Sequence, residues 1–226
     1  MNNPIYIPAT KPEDWRHLLA EPDKQWRDGY SAKSLAVAWH RDAGFPQEVG
    51  RAFDKSGYAI FKNPELLLAI PEHKVPLPGG GNPSQNDLFV LAKGNGQIIS
   101  MTVEGKVSEP FGPLVSEWFQ NPSEGKRKRL AYLCKILGLN ANHVSSIRYQ
   151  LLHRTASAVI EADRFNATNA LMLVHSFSPT NKWYDDFEKF SGLYEVQVKL
   201  NEIIFAGRVN GTELYLGWVK GDVPKR

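Results

Sequence analysis

Residues 86–111, NDLFVLAKGNGQIISMTVEGKVSEPF, constrain the fold more than any other stretch of the chain. Asp87-Leu88-Phe89-Val90-Leu91-Ala92 is apolar after its opening acid, and Ile98 to Lys106 alternates towards its end. Between them lies Lys93-Gly94-Asn95-Gly96, and Asn-Gly tolerates the positive φ angles that short hairpins require. The stretch therefore predicts an antiparallel hairpin. Side chains two apart on a strand share a face, so Glu104 and Lys106 point the same way. The start of the first strand lies beside the end of the second, which brings Asp87 to both. Two carboxylates and an amine thus converge at one end of an apolar hairpin, where burial alone would not put them.

That grouping suits phosphodiester hydrolysis. Carboxylate oxygens on adjacent strands can hold Mg²⁺, which prefers hard oxygen ligands and keeps several waters. The ion lowers the pKa of a bound water and neutralises charge on the phosphate. A neighbouring lysine orients or deprotonates the attacking water, or stabilises developing charge. The same residues also fit a plainer arrangement, a same-face ion pair at a strand end.

At these positions the chain resembles the PD-(D/E)XK nuclease superfamily. Asp87 takes the place of the motif Asp and Glu104-Gly105-Lys106 that of Glu-X-Lys, while Asn86 stands where the motif's name puts Pro. The loop Gly79 to Asn86 is similar to the one that delivers the Asp in several of these nucleases. Taken whole, the chain looks like a bacterial family within the superfamily. The resemblance implies Mg²⁺, with Mn²⁺ as a substitute, held by Asp87 and Glu104, with Lys106 as the catalytic amine. Glu48, on a helix ahead of the first core strand, resembles the accessory metal-binding Glu of many members. It equally fits a helix-start acid favoured by the macrodipole. Gln150 resembles the accessory Gln on the helix after the Glu-X-Lys strand. Arg154 stands where that subfamily pattern has Tyr.

The order of elements supports the same resemblance. Ser31 to Lys55 reads as helix interrupted at Gly44-Phe45-Pro46, and Leu66 to Ile70 as a short buried strand between two prolines. Three consecutive glycines make Pro76 to Pro83 a loop. Pro113 to Gln120 reads as helix, and Ser123 caps another running from Glu124 to Leu139. Ser145 to Arg164 carries an apolar row (Ile147, Leu151, Ala158) opposite a polar one (Gln150, Arg154, Ser157, Glu161). Ala170 to Phe177 reads as a buried strand. Helix, strand, hairpin, helix, strand is the αβββαβ order of a restriction-endonuclease-like core, over about residues 31–177. The expectation is a single α/β domain with a central mixed sheet flanked by helices. Residues 178–226 add a helix and a β-hairpin, joined at Asn210-Gly211.

Composition narrows the function. A net charge of only +3 over 226 residues excludes a histone-like polycation, so nucleic-acid affinity needs a local patch. Lys126-Arg127-Lys128-Arg129 opens a helix, where positive charge opposes the dipole. A phosphate-binding run, joined by Arg154, is one reading and a solvated face the other. Trp15, Trp26 and Tyr30 read as packing aromatics. A single Cys134 excludes an internal disulfide and a cysteine-rich zinc site. No basic-then-apolar segment opens the chain and no apolar run reaches spanning length, so a cytoplasmic protein without membrane partners is expected.

The expected function is metal-dependent hydrolysis of nucleic acid, DNA before RNA. A catalytically inactive nuclease-fold module that binds nucleic acid or protein is the first alternative, and a hydrolase of small phosphoesters or nucleotides the second. A homodimer is left open. Neutralising Asp87 or Glu104 is expected to relieve repulsion and leave the fold intact.

Overall fold

The computed structural model describes residues 9–41 and 44–222. A 3₁₀ turn, Pro12–Leu18, and the one-turn helix α1 (Pro22–Gln25) lead into α2 (Ser31–Arg41) and α3 (Gln47–Ser56). Three strands follow: β1 (Glu65–Val75), β2 (Ser84–Gly94) and β3 (Gln97–Lys106). Then come α4 (Val115–Trp118), α5 (Glu124–Ile136) and α6 (Tyr149–Arg164). Strand β4 (Asn169–Ser176) and helix α7 (Tyr184–Gly192) precede the closing hairpin of β5 (Glu202–Val209) and β6 (Thr212–Lys220).

Among the described residues the strands form one sheet, in the order β1-β2-β3-β4-β6-β5. The first three make an antiparallel meander, β4 lies parallel to β3 and to β6, and β5 closes antiparallel to β6. The sheet is thus mixed and open, with helices on both faces, and the C-terminal hairpin extends it. No described helix is long and apolar enough to cross a membrane.

Both hairpins turn where Asn-Gly stands. Gly94 pairs with Gln97, which leaves Asn95 and Gly96 at φ 46° and 76°, both left-handed as a type I′ turn requires. Asn210 and Gly211 repeat this at 46° and 80°.

Alternation along the strands divides two cores. Ile99, Met101 and Val103 of β3 and Leu171 and Leu173 of β4 face Leu35 and Trp39 of α2 and Phe53 of α3. On the other face Ala170, Met172 and Val174 pack beneath Leu151 and Val159 of α6, with Phe187 and Phe190 of α7. From Ser100 onwards the residues of β3 turned to α6 are polar. Ser100 and Thr102 donate their hydroxyls to the helix carbonyls of Ala158 (2.7 Å) and Arg154 (3.0 Å). Buried hydroxyls need such partners, and these two fix where α6 lies along the strand.

Three local expectations change. Strand β1 is one of the sheet's two outer strands and half-covered, not a buried one; it bulges at Leu67 and runs on through Pro71, which an outer strand tolerates. The helix expected over Pro113 to Gln120 is the single turn α4. Tyr30 is 43% exposed, so it does not pack as Trp15 does.

Close backbone approach explains Gly94. A Cβ there would lie 1.9 Å from the Ile60 carbonyl oxygen, whereas one on Gly96 would meet open space. Gly94→Ala should therefore cost about 3 kcal/mol by overpacking. Gly96→Ala should cost only the left-handed penalty of about 1–2 kcal/mol. Urea midpoints check the order, and equal losses would show that the contact relaxes freely.

Candidate active site

The hairpin register sets Asp87 beside Glu104. Leu88 pairs with Val103, and one step further the Gly105 N–H donates to Asp87 Oδ2 at 2.9 Å. Space is tight at that middle position: a Cβ on Gly105 would come within 3.2 Å of Ser31 Cβ at the start of α2, which would have to shift slightly. Glu104 and Lys106 sit on the α6 face, 2% and 3% exposed. Lys106 Nζ donates to Glu104 Oε1 at 2.7 Å and lies 4.7 Å from the centre of the Phe111 ring.

Helix α6 completes the group from above. Gln150 Nε2 donates to Glu104 Oε1 at 2.7 Å, and its carbonyl accepts from Lys106 at 3.4 Å. One turn on, Arg154 Nε donates to Glu104 Oε2 at 2.6 Å, with its NH2 group 3.9 Å from Asp87. These side chains line an open cleft of about 460 Å³ at the end of β3, with Tyr30 and Ser31 opposite. Asp87, Glu104, Lys106 and Gln150 are thereby brought together.

Other predicted residues are not. Glu48 belongs to the opposite face of the sheet, where His175 Nε2 donates to it (3.2 Å) and Arg41 pairs with it (3.1 Å). The Trp39 N–H occupies His175 Nδ1, which leaves the proton of the neutral ring on the nitrogen facing Glu48. Burial raises the Glu48 carboxyl, but this bond, a backbone hydrogen bond and the charge of Arg41 outweigh it and hold the pKa at about 2. Glu48 is a buried counter-charge, not a member of the cluster.

Arg154, read as a phosphate contact, is 7% exposed and committed to Glu104. The polar row of α6 is turned to the sheet instead of to solvent, because the polar face of β3 lies under it. The basic run also divides. Arg129 donates to the carbonyls of Pro78 (3.1 Å), Asn82 (2.9 Å), Leu77 (3.4 Å) and Gly80, holding the glycine loop. Lys126 donates to the Trp118 carbonyl at 2.6 Å, and Lys128 pairs with Glu124 within the helix. Arg127 projects to the surface.

Glu72 of β1 joins the site without having been singled out. It accepts a hydrogen bond from Gln85 at 2.7 Å and lines the same cleft. Its φ of 53° is left-handed, which a glutamate rarely adopts. His73 beside it turns away, against Phe89 and 3.4 Å from Glu161.

The electrostatics separate the acids. Burial raises Glu104, but Arg154 and Lys106 outweigh it and hold its pKa low. Burial and then Glu104 push Asp87 up to about 7, against the pull of Arg154 and Lys106. Burial and then Asp87 push Glu72 up to about 8. Among the described residues no three His, Cys, Asp or Glu side chains are arranged to hold a metal ion.

Residues 8–223 match the family model described as a domain of unknown function, DUF6946. The chain belongs to this family. No curated protein and no solved structure matches the DUF6946 chain.

The expectation that both acids can be neutralised without harm divides here. Glu104→Gln leaves Lys106 and Arg154 buried without their counter-charge, and should cost about 3–5 kcal/mol. Asp87 behaves oppositely. Its folded pKa lies above its unfolded value of 3.8, so stability present in acid is lost as the pH rises towards about 7. Asp87→Asn removes that loss and should unfold above the wild-type temperature at pH 8 in chelator. Thermal melts of both variants across pH 4–9 test the pair of signs; destabilisation by Asp87→Asn at pH 8 would contradict the repulsion.

Proposed function

We propose that the protein hydrolyses phosphodiester bonds in nucleic acid, DNA in first place, with a divalent metal ion. The observation that carries this reading is the meeting of Asp87, Glu104 and Lys106 at the mouth of an open cleft. The sheet order and the placement of helices on both faces agree with a restriction-endonuclease-like αβββαβ core.

The donor set fits Mg²⁺. Two carboxylates on adjacent strands supply hard oxygens, and Mg²⁺ typically completes its shell with water. Burial and the neighbouring carboxylates raise the pKa values of Asp87 and Glu72 above the pull of the nearby cations. Asp87 and Glu104 would hold the ion, and a bound ion supplies Lewis acidity to the phosphate and to an attacking water. Lys106 donates to a phosphoryl oxygen or orients the water. Gln150 keeps Lys106 and Glu104 in register through its amide. Arg154 anchors Glu104, so its role is positioning.

One observation favours a second reading, a non-catalytic nucleic-acid-binding module. Glu104 already accepts from Lys106, Gln150 and Arg154. An ion would have to share a carboxylate that is largely satisfied.

Substitution separates the two readings. Asp87→Asn should abolish Mg²⁺ binding by calorimetry together with cleavage of plasmid or single-stranded DNA. Lys106→Ala should keep the ion and lose about 10²-fold or more in turnover. Wild-type protein that binds DNA but cleaves none in Mg²⁺ or Mn²⁺ would leave the binding module as the function.

A further inference from the structure

A second cleft of about 480 Å³ adjoins the first. The two share the elements between them. The acid cleft is lined by Gln85, Gln150 and Arg154, and the second by their chain neighbours Ser84, Tyr149 and His153. Ser84 Oγ forms the divide, 2.8 Å from His153 Nδ1 and 3.4 Å from Arg154.

The charge of the wall inverts across that divide. Glu72, Asp87, Glu104 and Glu109 line the first cleft, whereas no residue lining the second is acidic and Lys126 and Arg129 are cationic. His153 is kept neutral, since burial and then Arg154 and Arg129 push its pKa well down. The floor is bare backbone: Gly79, Gly80 and Gly81 at φ 92°, 73° and 74°, against Gly125. Gly79 and Gly125 touch so closely that a Cβ on either would lie 2.1 Å from the other's carbonyl oxygen. Arg129 holds the loop's carbonyls, so the floor is rigid before any ligand arrives.

One side of the cleft is aromatic. The rings of Trp118 and Tyr149 stack 4.0 Å apart at 9°, and Lys126 Nζ lies 5.3 Å from the centre of the Trp118 ring. The Tyr149 hydroxyl is buried without a well-formed hydrogen bond, its charged neighbour being Arg129. Lys126 gives one N–H to the Trp118 carbonyl and has two more to offer. A flat apolar wall, a hydroxyl beside Arg129, a lysine and a glycine floor match one nucleotide unit, with its phosphate, sugar and base.

The geometry points to this second cleft as the seat of the nucleotide flanking the scissile phosphate. Lys126 and the glycine backbone receive the phosphate, and Tyr149 bonds to the sugar or base with Trp118 behind it. The inference rests on the phosphodiesterase reading. A single strand laid across Asp87 and Glu104 continues over Ser84 into positive potential.

Binding without chemistry tests it. Anisotropy of a fluorescein-labelled 12-mer single-stranded DNA, titrated in EDTA at several salt concentrations, reads affinity and its slope. Lys126→Ala should bind about tenfold more weakly, with a log–log salt slope smaller by about 0.7, one lost phosphate contact to a single strand. Tyr149→Phe should bind several-fold more weakly with unchanged slope, and its melting temperature shows separately what loss of the Arg129 neighbour costs the fold. In Mg²⁺ both variants should raise KM more than they lower kcat. Wild-type affinity and slope in both variants, with cleavage intact, would overturn the cleft and leave the phosphodiesterase reading standing. Wild-type protein that neither binds the 12-mer nor cleaves DNA would overturn both. Binding lost in step with the cleft variants, but without cleavage by any form, would support the cleft and remove the enzyme.

Discussion

Glu104 is the point on which the two layers of the protein depend. An unpaired carboxylate this deeply buried would cost several kcal/mol, a large part of a typical domain's whole stability. It is tolerated because Lys106 comes from the same strand and Gln150 and Arg154 from the helix above. Residues four apart on a helix share a side, so Gln150 and Arg154 straddle one carboxylate. Further back, Ser100 and Thr102 hold carbonyls of the same helix. The lie of α6 on the sheet is therefore set by directional polar contacts, and the apolar packing beside them conforms.

The cluster is left electrically unbalanced. Glu72, Asp87 and Glu104 are three carboxylates facing the two cations Lys106 and Arg154. One excess negative charge would remain were all five groups ionised, and burial first and this repulsion second raise the pKa values of Asp87 and Glu72. Strain accompanies it in the left-handed backbone of Glu72. Repulsion and strain gathered at one cleft lower stability for no structural return, a pattern that functional sites share.

The hairpin was legible because its information is local. Asn-Gly dictates a two-residue turn, the turn dictates the register, and the register delivers Asp87 to Glu104. Gln150 was singled out only by the resemblance to an accessory Gln, since nothing in its own helix sets it apart from the rest of the polar row. Glu48 was not legible, since nothing local says which side of a sheet a preceding helix covers. Arg154 misled for a related reason: periodicity separates polar from apolar faces, but here the polar face met an equally polar strand and was buried with it. The basic run was read as one unit although successive helix residues point about 100° apart. Its four cations accordingly meet a carbonyl, the surface, an acid and a loop. Glu72 was not assigned to the site because its pairing to β2 is set across the loop of residues 76–83, which carries no turn code.

The two outer strands carry a further consequence. Strand β1 is interrupted by a bulge at Leu67, by Pro71 without an N–H and by the left-handed Glu72. Strand β5 is broken at Ala206, with Gly207 at φ 122°. An incoming strand needs an unbroken row of donors and acceptors to extend a sheet. Neither margin offers one, so the molecule is guarded against growing into fibres through its own sheet.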